Sequence, residues 1–104
     1  MFAGVLGQEL VDASKEMASS EAQWLAKLAS FDRSLEWQHD GQLSCATWVA
    51  YKCSVGRSTA KEKLRVAHEL ERRPIVAAAF EAGDITYSKA RILTRLFELN
   101  DERD

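Results

Sequence analysis

An apolar stripe with a period of seven residues runs through the first third of the chain. It consists of Leu10, Met17, Trp24 and Phe31 at intervals of seven, with Leu28 and Leu35 four residues after the last two. Apolar residues at this spacing share one face of an α-helix. The pattern predicts one long amphipathic helix over residues 8–36, widened on the apolar side by Val11, Ala18 and Leu25.

The stripe has two interpretations. It packs into the core of this chain, or it forms the seam of a helix–helix dimer. Ser14 and Glu21 occupy apolar heptad positions of the first half, which argues against a strict coiled coil. For the dimer, and more generally for a protein-interaction module, the candidate interface residues are Leu10, Met17, Trp24, Leu28, Phe31 and Leu35.

Composition predicts a soluble, all-α chain folded as one domain over residues 1–104. Apolar residues make up 46% and charged residues 29%, as in globular proteins, and no segment alternates in the manner of a strand. The longest apolar run, residues 75–80, is too short to span a bilayer. The first ten residues lack the basic flank and long apolar core of a secretory signal, so we expect a cytoplasmic location and no membrane partner.

Residues 44–99 predict a set of shorter helices around the long one. Asp40-Gly41 is a turn signal and Ser44 a candidate N-cap for a short helix that ends near residue 53. A helix over residues 57–72 follows, then one that Pro74 begins and Gly83 ends, then one capped by Thr86 or Asp84 that runs to about residue 99. Residues 100–104 should fray. These elements predict an orthogonal bundle of about five helices.

The segment "CSVGRSTAKEKLRVAHEL", residues 53–70, has the pattern of a helix–turn–helix. That motif needs a small residue in its first helix, an apolar residue closing that helix, and a turn residue that tolerates positive φ. It then needs an apolar plug and a small residue early in the second helix. The residues in these positions are Ala50, Cys53, Ser54, Val55 and Ala60.

The helix over residues 57–72 has a basic edge. A helical wheel places Lys61, Arg65, His68 and Arg72 together, joined by Arg57, and puts Glu62 and Glu69 on a separate acidic edge. Residues 44–99 hold ten Lys or Arg against six acids, whereas residues 1–43 hold three against seven. The edge either contacts DNA phosphates and bases or is a solvated face on which Arg65 pairs with Glu62 and Glu69, and Arg72 with Glu69.

Other chemistries are not expected. Cys45 and Cys53 are separated by roughly 12 Å of helix rise, which is too far for a disulfide. We predict that both are small buried residues. His39, Cys45, Cys53 and His68 lack the spacing of metal-ligand pairs. No catalytic motif of a hydrolase, P-loop enzyme or metalloprotease is present. We therefore expect no enzyme activity, no cofactor and no small-molecule substrate.

Residues 25–96 resemble the domain of unknown function 222, the 13E12 repeat family. The matching features, in order, are "FDR" at 31–33, Trp37, Asp40-Gly41, Ser44 to Trp48, "RVAHEL" at 65–70, Pro74, "AFEAGDITYSKAR" at 79–91 and "LTRL" at 93–96. Ser54 departs from the family, which tends to have Gly there, as does Gly56-Arg57, where Ser-Pro is common. The family is met mainly in actinobacteria, as the N-terminal part of longer proteins that end in an HNH endonuclease domain, so the resemblance implies association with DNA-processing proteins.

A second segment, residues 58–93, is similar to the helix–turn–helix region of ParB-type partition proteins, which implies binding to double-stranded DNA. The leading hypothesis is a non-catalytic DNA-binding module; the alternative is the interaction module described above, with a homodimer as one form of it. The candidate DNA-contacting residues are Arg57, Lys61, Arg65, His68, Arg72, Lys89, Arg91 and Arg95.

Overall fold

The computed structural model describes residues 4–100, and within that range it contains helices and turns but no strand. The five α-helices are α1 (Val5–Ser34), α2 (Cys45–Lys52), α3 (Arg57–Glu71), α4 (Pro74–Glu81) and α5 (Tyr87–Asn100), and a 3-10 helix (Glu36–Asp40) lies between α1 and α2. The predicted all-α fold with about five helices is confirmed. Of the tail predicted to fray, residues 101–104 lie outside the described residues. No helix within residues 4–100 combines the length and apolar character needed to cross a membrane.

The long helix ends slightly earlier than the sequence predicts. Leu35 takes a left-handed conformation, with φ 62°, and its N–H donates to the carbonyl of Asp32. The Ser34 hydroxyl, which donates to the Phe31 carbonyl, accepts the N–H of Glu36, so the chain leaves the helix at Ser34. The 3-10 helix that follows was not predicted. It ends at Asp40, and the next residue, Gly41, has φ 77° and lies inside the segment predicted to turn.

The turn between α2 and α3 has the conformation expected from its residues. Ser44 caps α2 as predicted, because its hydroxyl accepts the N–H of Thr47 at 3.1 Å. Ser54 has φ 57°, in the left-handed region, and the N–H of Val55 donates to the Ala50 carbonyl. Val55 is half-buried and Ala60 is buried.

The two cysteines differ in environment. Cys45 is buried at the start of α2, whereas Cys53 is exposed, so the prediction that both are buried is wrong for Cys53. Cys53 is the C-cap residue of α2 and precedes the turn to α3. Burial, reinforced by the neighbouring Asp32 carboxylate, raises the pKa of the Cys45 thiol to about 12. That thiol is therefore protonated and unreactive near neutral pH.

Small residues allow the helices to approach closely. The buried core draws on all five helices: Ala18, Ala22, Leu25, Leu28 and Ala29 of α1; Cys45, Ala46 and Val49 of α2; Ala60, Val66, Ala67 and Leu70 of α3; Val76 and Phe80 of α4; and Ala90 of α5. Seven of these fifteen residues are alanines. Because the core begins at Ala18, only the C-terminal part of α1 is covered.

The N-terminal half of α1 extends beyond this core. Its 30 residues correspond to about 45 Å of helix. The radius of gyration is 15.5 Å, above the value of about 13 Å expected for a compact domain of this length, and the longest dimension is 53 Å. The molecule is thus a bundle with a projecting helix.

A buried ion pair joins the end of α3 to the start of α4. Glu69 and Arg73 are each 5% exposed, and the Glu69 carboxylate accepts from Nε of Arg73 at 3.0 Å. The Arg73 guanidinium lies over the ring of Phe97 in α5, 5.1 Å from its centroid. The prediction that Glu69 belongs to an exposed acidic edge is wrong, because α4 and α5 cover it.

The turn between α4 and α5 presses against α1 at Gly83. Gly83 has φ 79°, and a Cβ at this position would lie 2.8 Å from the carbonyl oxygen of Lys15. The N–H of Asp84 donates to the Ala79 carbonyl, which closes the end of α4 in the way that a left-handed glycine permits. Thr86 then caps α5, accepting the N–H of Lys89 at 3.3 Å.

Replacing Gly83 tests this close approach. Gly83→Ala should lower the free energy of unfolding by about 2–4 kcal/mol, because the strain of a left-handed alanine adds to displacement of α1. Gly41→Ala is the matched control: Gly41 has φ 77° with nothing near its Cβ position, so the loss should be about 1 kcal/mol. Urea unfolding followed by circular dichroism measures both. Equal losses would contradict the contact between this turn and α1.

Candidate nucleic-acid interface

The basic edge predicted on α3 lies on its exposed side. Arg57, Lys61, His68 and Arg72 fall within about 60° of one another around the helix axis, and Arg65 lies at the flank of this stripe. The buried residues of α3 face the other way, toward α1 and α2. The eight cations predicted to contact DNA nevertheless separate into two groups, according to whether a carboxylate already binds them.

Glu62 is the centre of the first group. Its carboxylate accepts hydrogen bonds from Nε of Arg65 at 2.9 Å, Nε of Arg91 at 2.7 Å and an Nη of Arg95 at 3.1 Å. The prediction that Glu62 lies on an acidic edge apart from the basic residues is wrong, because α5 packs beside α3 and brings Arg91 and Arg95 onto it.

Arg65 is held most firmly of the three arginines. Besides Glu62, it donates to a carboxylate oxygen of Glu98 at 3.0 Å and to the carbonyl of Arg91 at 3.3 Å. The predicted pairing of Arg65 with Glu69 is wrong, since Glu69 is buried on Arg73. Hydrogen bonds to Arg65 and Arg91 lower the pKa of Glu62 to about 2, against the opposing effect of burial. Each of the three arginines is thus already bound to at least one carboxylate, and their network joins α3 to α5.

His68 and Arg72 also have acidic neighbours. Nε2 of His68 lies 2.7 Å from Oδ2 of Asp32, and its Nδ1 lies 3.7 Å from Glu71. Arg72 lies 3.5 Å from the Glu69 carboxylate, as predicted. The pKa of Glu71 is lowered chiefly by its hydrogen bond from Arg33. These contacts link the C-terminal half of α3 to α1 and offset its positive charge.

The second group consists of Arg57, Lys61 and Lys89, whose side chains are exposed. Within residues 4–100, none of the three side chains makes a hydrogen bond or an ion pair. Arg57 and Lys61 lie one turn apart at the start of α3. Lys89 lies on α5, on roughly the opposite side of that helix from Arg91.

The N-terminus of α3 has no side-chain cap. Gly56 is its N-cap residue, and no acidic side chain lies in the first turn. The amide groups of that turn therefore carry the partial positive charge of a helix N-terminus, and no side chain in the described part of the chain caps them. Arg57, which carries a full positive charge, stands at the same end.

A shallow groove connects this end of α3 to α2. Its walls include Ser44, Thr47, Tyr51 and Arg57, and Tyr51 is 72% exposed. Lys52 follows Tyr51 and is exposed, with its ammonium group 5.8 Å from the Tyr51 ring. Tyr51 and Lys52 were not among the predicted site residues, although their position directly before the turn could have indicated them.

The six residues predicted for a protein interface are divided by the structure. Leu28 is buried in the core, and Trp24 and Phe31 pack against it, so these three are not free surface. Leu10 and Met17 are about 70% exposed, at 69% and 73%, and Leu35 is exposed at the helix end.

Side chains of the metal-binding types are scattered. In the part of the chain that the structure describes, no three His, Cys, Asp or Glu residues are grouped so that they could hold a metal ion.

The Glu62 network gives a pH-dependent contribution to stability. A carboxyl group whose pKa falls from 4.5 to about 2 on folding stabilises the fold fully above pH 4.5, and the effect is lost as the pH falls toward 2. The shift corresponds to on the order of 3 kcal/mol for a side chain this well covered. Glu62→Gln should therefore lower stability by about 2–3 kcal/mol at pH 7, and the difference from wild type should shrink to less than about 0.5 kcal/mol near pH 2.

Urea unfolding at several pH values measures this difference. Glu81→Gln is the matched control, because Glu81 is exposed and has no ion pair within the described residues. A difference in the free energy of unfolding between wild type and Glu62→Gln that stays constant with pH would be inconsistent with the network.

Comparison with known proteins identifies the family. The family model described as "Domain of unknown function (DUF222)" matches residues 6–104. No curated protein and no solved structure matches the chain. The predicted similarity to ParB-type proteins is thus not shown. Because the matching model covers nearly the whole sequence, the chain belongs to the DUF222 family.

Proposed function

We propose that this chain is a non-catalytic module that binds double-stranded DNA through the start of α3 and the turn before it. The observation that carries the proposal is the N-terminus of α3, where uncapped amide groups stand beside Arg57 and Lys61, two cations that have no carboxylate partner within residues 4–100. The proposal includes a cytoplasmic location and, through the family resemblance, a place beside an HNH endonuclease domain in longer relatives.

The electrostatics of this helix end favour a bound anion. Cations near a helix N-terminus are unfavourable by about 0.3–1 kcal/mol, and Arg57 and Lys61 repel each other at i, i+4. A phosphate placed at the helix end would reverse both effects, since it accepts from the free amide groups and pairs with the side chains. The backbone of double-stranded DNA can supply such a phosphate.

The arrangement of α2 and α3 is compatible with a helix–turn–helix. Ser54 supplies the left-handed turn residue, Val55 is the half-buried plug, and α2 packs against α3. In such motifs, the N-terminal residues of the second helix reach base edges while the first helix crosses the backbone. Lys52 and Tyr51, at the end of α2, would then face the phosphate backbone.

The ion pairs restrict the predicted contact surface. Arg65, Arg91 and Arg95 are committed to Glu62, and His68 and Arg72 have their own carboxylates. We therefore reduce the proposed contacts to Lys52, Arg57 and Lys61. The paired cations are assigned to structure, and Lys89 is left out because it lies on α5, on the side away from Arg91. Three phosphate contacts give modest affinity that depends on salt.

Fluorescence anisotropy with a labelled duplex of about 20 base pairs tests the proposal. Neutralising three phosphates predicts a slope of about −2.7 for log affinity against log salt. Arg57→Gln/Lys61→Gln should weaken binding at least about tenfold in low salt, since two of the three charges are removed.

The matched control is Lys27→Gln/Lys89→Gln, which removes the same charge from exposed side chains of α1 and α5. Its affinity should stay within about twofold of wild type. An equal loss in both double variants would mean that net charge alone governs binding. Absence of salt-dependent binding in the wild type would refute the function.

A further inference from the structure

The N-terminal half of α1 carries a row of apolar side chains that no described part of the chain covers. The row consists of Leu6, Leu10, Ala13 and Met17, spaced by four, three and four residues. Leu6 is 80% exposed, and Leu10 and Met17 nearly as much. Residues at this spacing form the seam through which one helix packs on another. The row spans three turns, roughly 16 Å.

The row leads into a notch where α1 meets the start of α5. Met17, Ser20 and Tyr87 line this notch, and Trp24 lies half-buried just beyond Ser20 on the same row. The small side chains of Ala13 and Ser20 leave holes between the larger apolar side chains of the row. A partner helix would therefore present bulky apolar residues opposite the small ones, as knobs enter holes.

The charges beside the row are acidic. Residues 5–21 contain Glu9, Asp12, Glu16 and Glu21 against a single cation, Lys15. Glu9 and Glu16 flank the row along one side, and neither has an ion pair within residues 4–100. Lys15 lies on the far side of α1, where its carbonyl adjoins the turn at Gly83. The acidic flank is therefore not neutralised from within.

A second copy of the chain fits this surface poorly. Pairing two copies of α1 in antiparallel register brings Glu9 of one helix near Glu16 of the other, twice by symmetry. Parallel pairing brings Glu16 near Glu21, whose carboxylate already binds Lys63. Like charges beside a seam disfavour self-association and favour a partner of opposite charge.

We propose that the row on α1 is a docking site for an amphipathic helix with Lys or Arg beside its apolar stripe. The apolar row supplies the contact area, and Glu9 and Glu16 select a basic partner. This interaction uses a different surface from the start of α3, so it stands independently of DNA binding.

Two synthetic peptides of about three heptads test the proposal. Both have leucine at the seam positions; one has lysine at the flanking positions and the other glutamate. In anisotropy measurements with the wild-type chain, the lysine peptide should bind at least about tenfold more tightly than the glutamate peptide. Glu9→Lys/Glu16→Lys should invert this preference, because it reverses the charges beside the row.

Leu10→Ser/Met17→Ser should weaken binding of the lysine peptide at least about tenfold, because it removes the apolar contacts. Both side chains are exposed, so circular dichroism should show an unchanged fold. Leu43→Ser/Leu99→Ser is the matched control, since these exposed leucines lie elsewhere. Equal binding of the two peptides, or binding that survives Leu10→Ser/Met17→Ser, would overturn the proposal. The proposal would also be overturned if sedimentation showed a wild-type dimer that Leu10→Ser/Met17→Ser dissociates, since the occupant of the row would then be a second copy of the chain.

Discussion

The C-terminal half of α1 packs against α3 and α4, and its buried residues Ala22 and Leu25 belong to the core that all five helices share. Ala22 shares one crevice with Ala67 of α3 and Phe80 of α4, because small side chains let three helix backbones approach together. The helices after α1 are 8 to 15 residues long, so they cover only part of a 30-residue helix. The remainder projects into solvent, which explains both the elongated shape and the exposed apolar row.

Carboxylates on α3 decide which of its cations are available. Glu62 gathers three arginines from α3 and α5. Glu69 is buried against Arg73, whose guanidinium lies over the ring of Phe97. Such pairs join helices, and breaking one would leave a charge in a poorly solvated place. The positive charge that remains is concentrated at the N-terminus of α3. Glu9 and Glu16, which have no ion pair within the described residues, flank the projecting half of α1, so the two proposed surfaces attract opposite kinds of partner.

Most helix boundaries could be predicted because the chemistry that sets them is local. Ser44 and Thr86 cap helices through hydroxyls three residues from the amides they bind, and Pro74 and Gly83 act through their own backbone preferences. The left-handed conformation of Leu35 was not predictable in this way. A leucine takes that conformation only because the following 3-10 helix and its hydrogen bonds require it.

The candidate sites were only partly predictable from the chain. The periodicity of α1 identified an apolar face, and the wheel of α3 identified a basic one, since both follow from the 3.6-residue repeat of a helix. The sequence by itself therefore determined the helices, their caps and the faces that carry each kind of side chain. Only the tertiary structure decided that Leu28 is core while Leu10 is surface. It also decided that Arg65 is bound to carboxylates while Lys61 has no carboxylate partner among the described residues. Those outcomes depend on contacts such as Arg65 to Glu98 and His68 to Asp32, between residues 33 and 36 positions apart, which no local pattern encodes.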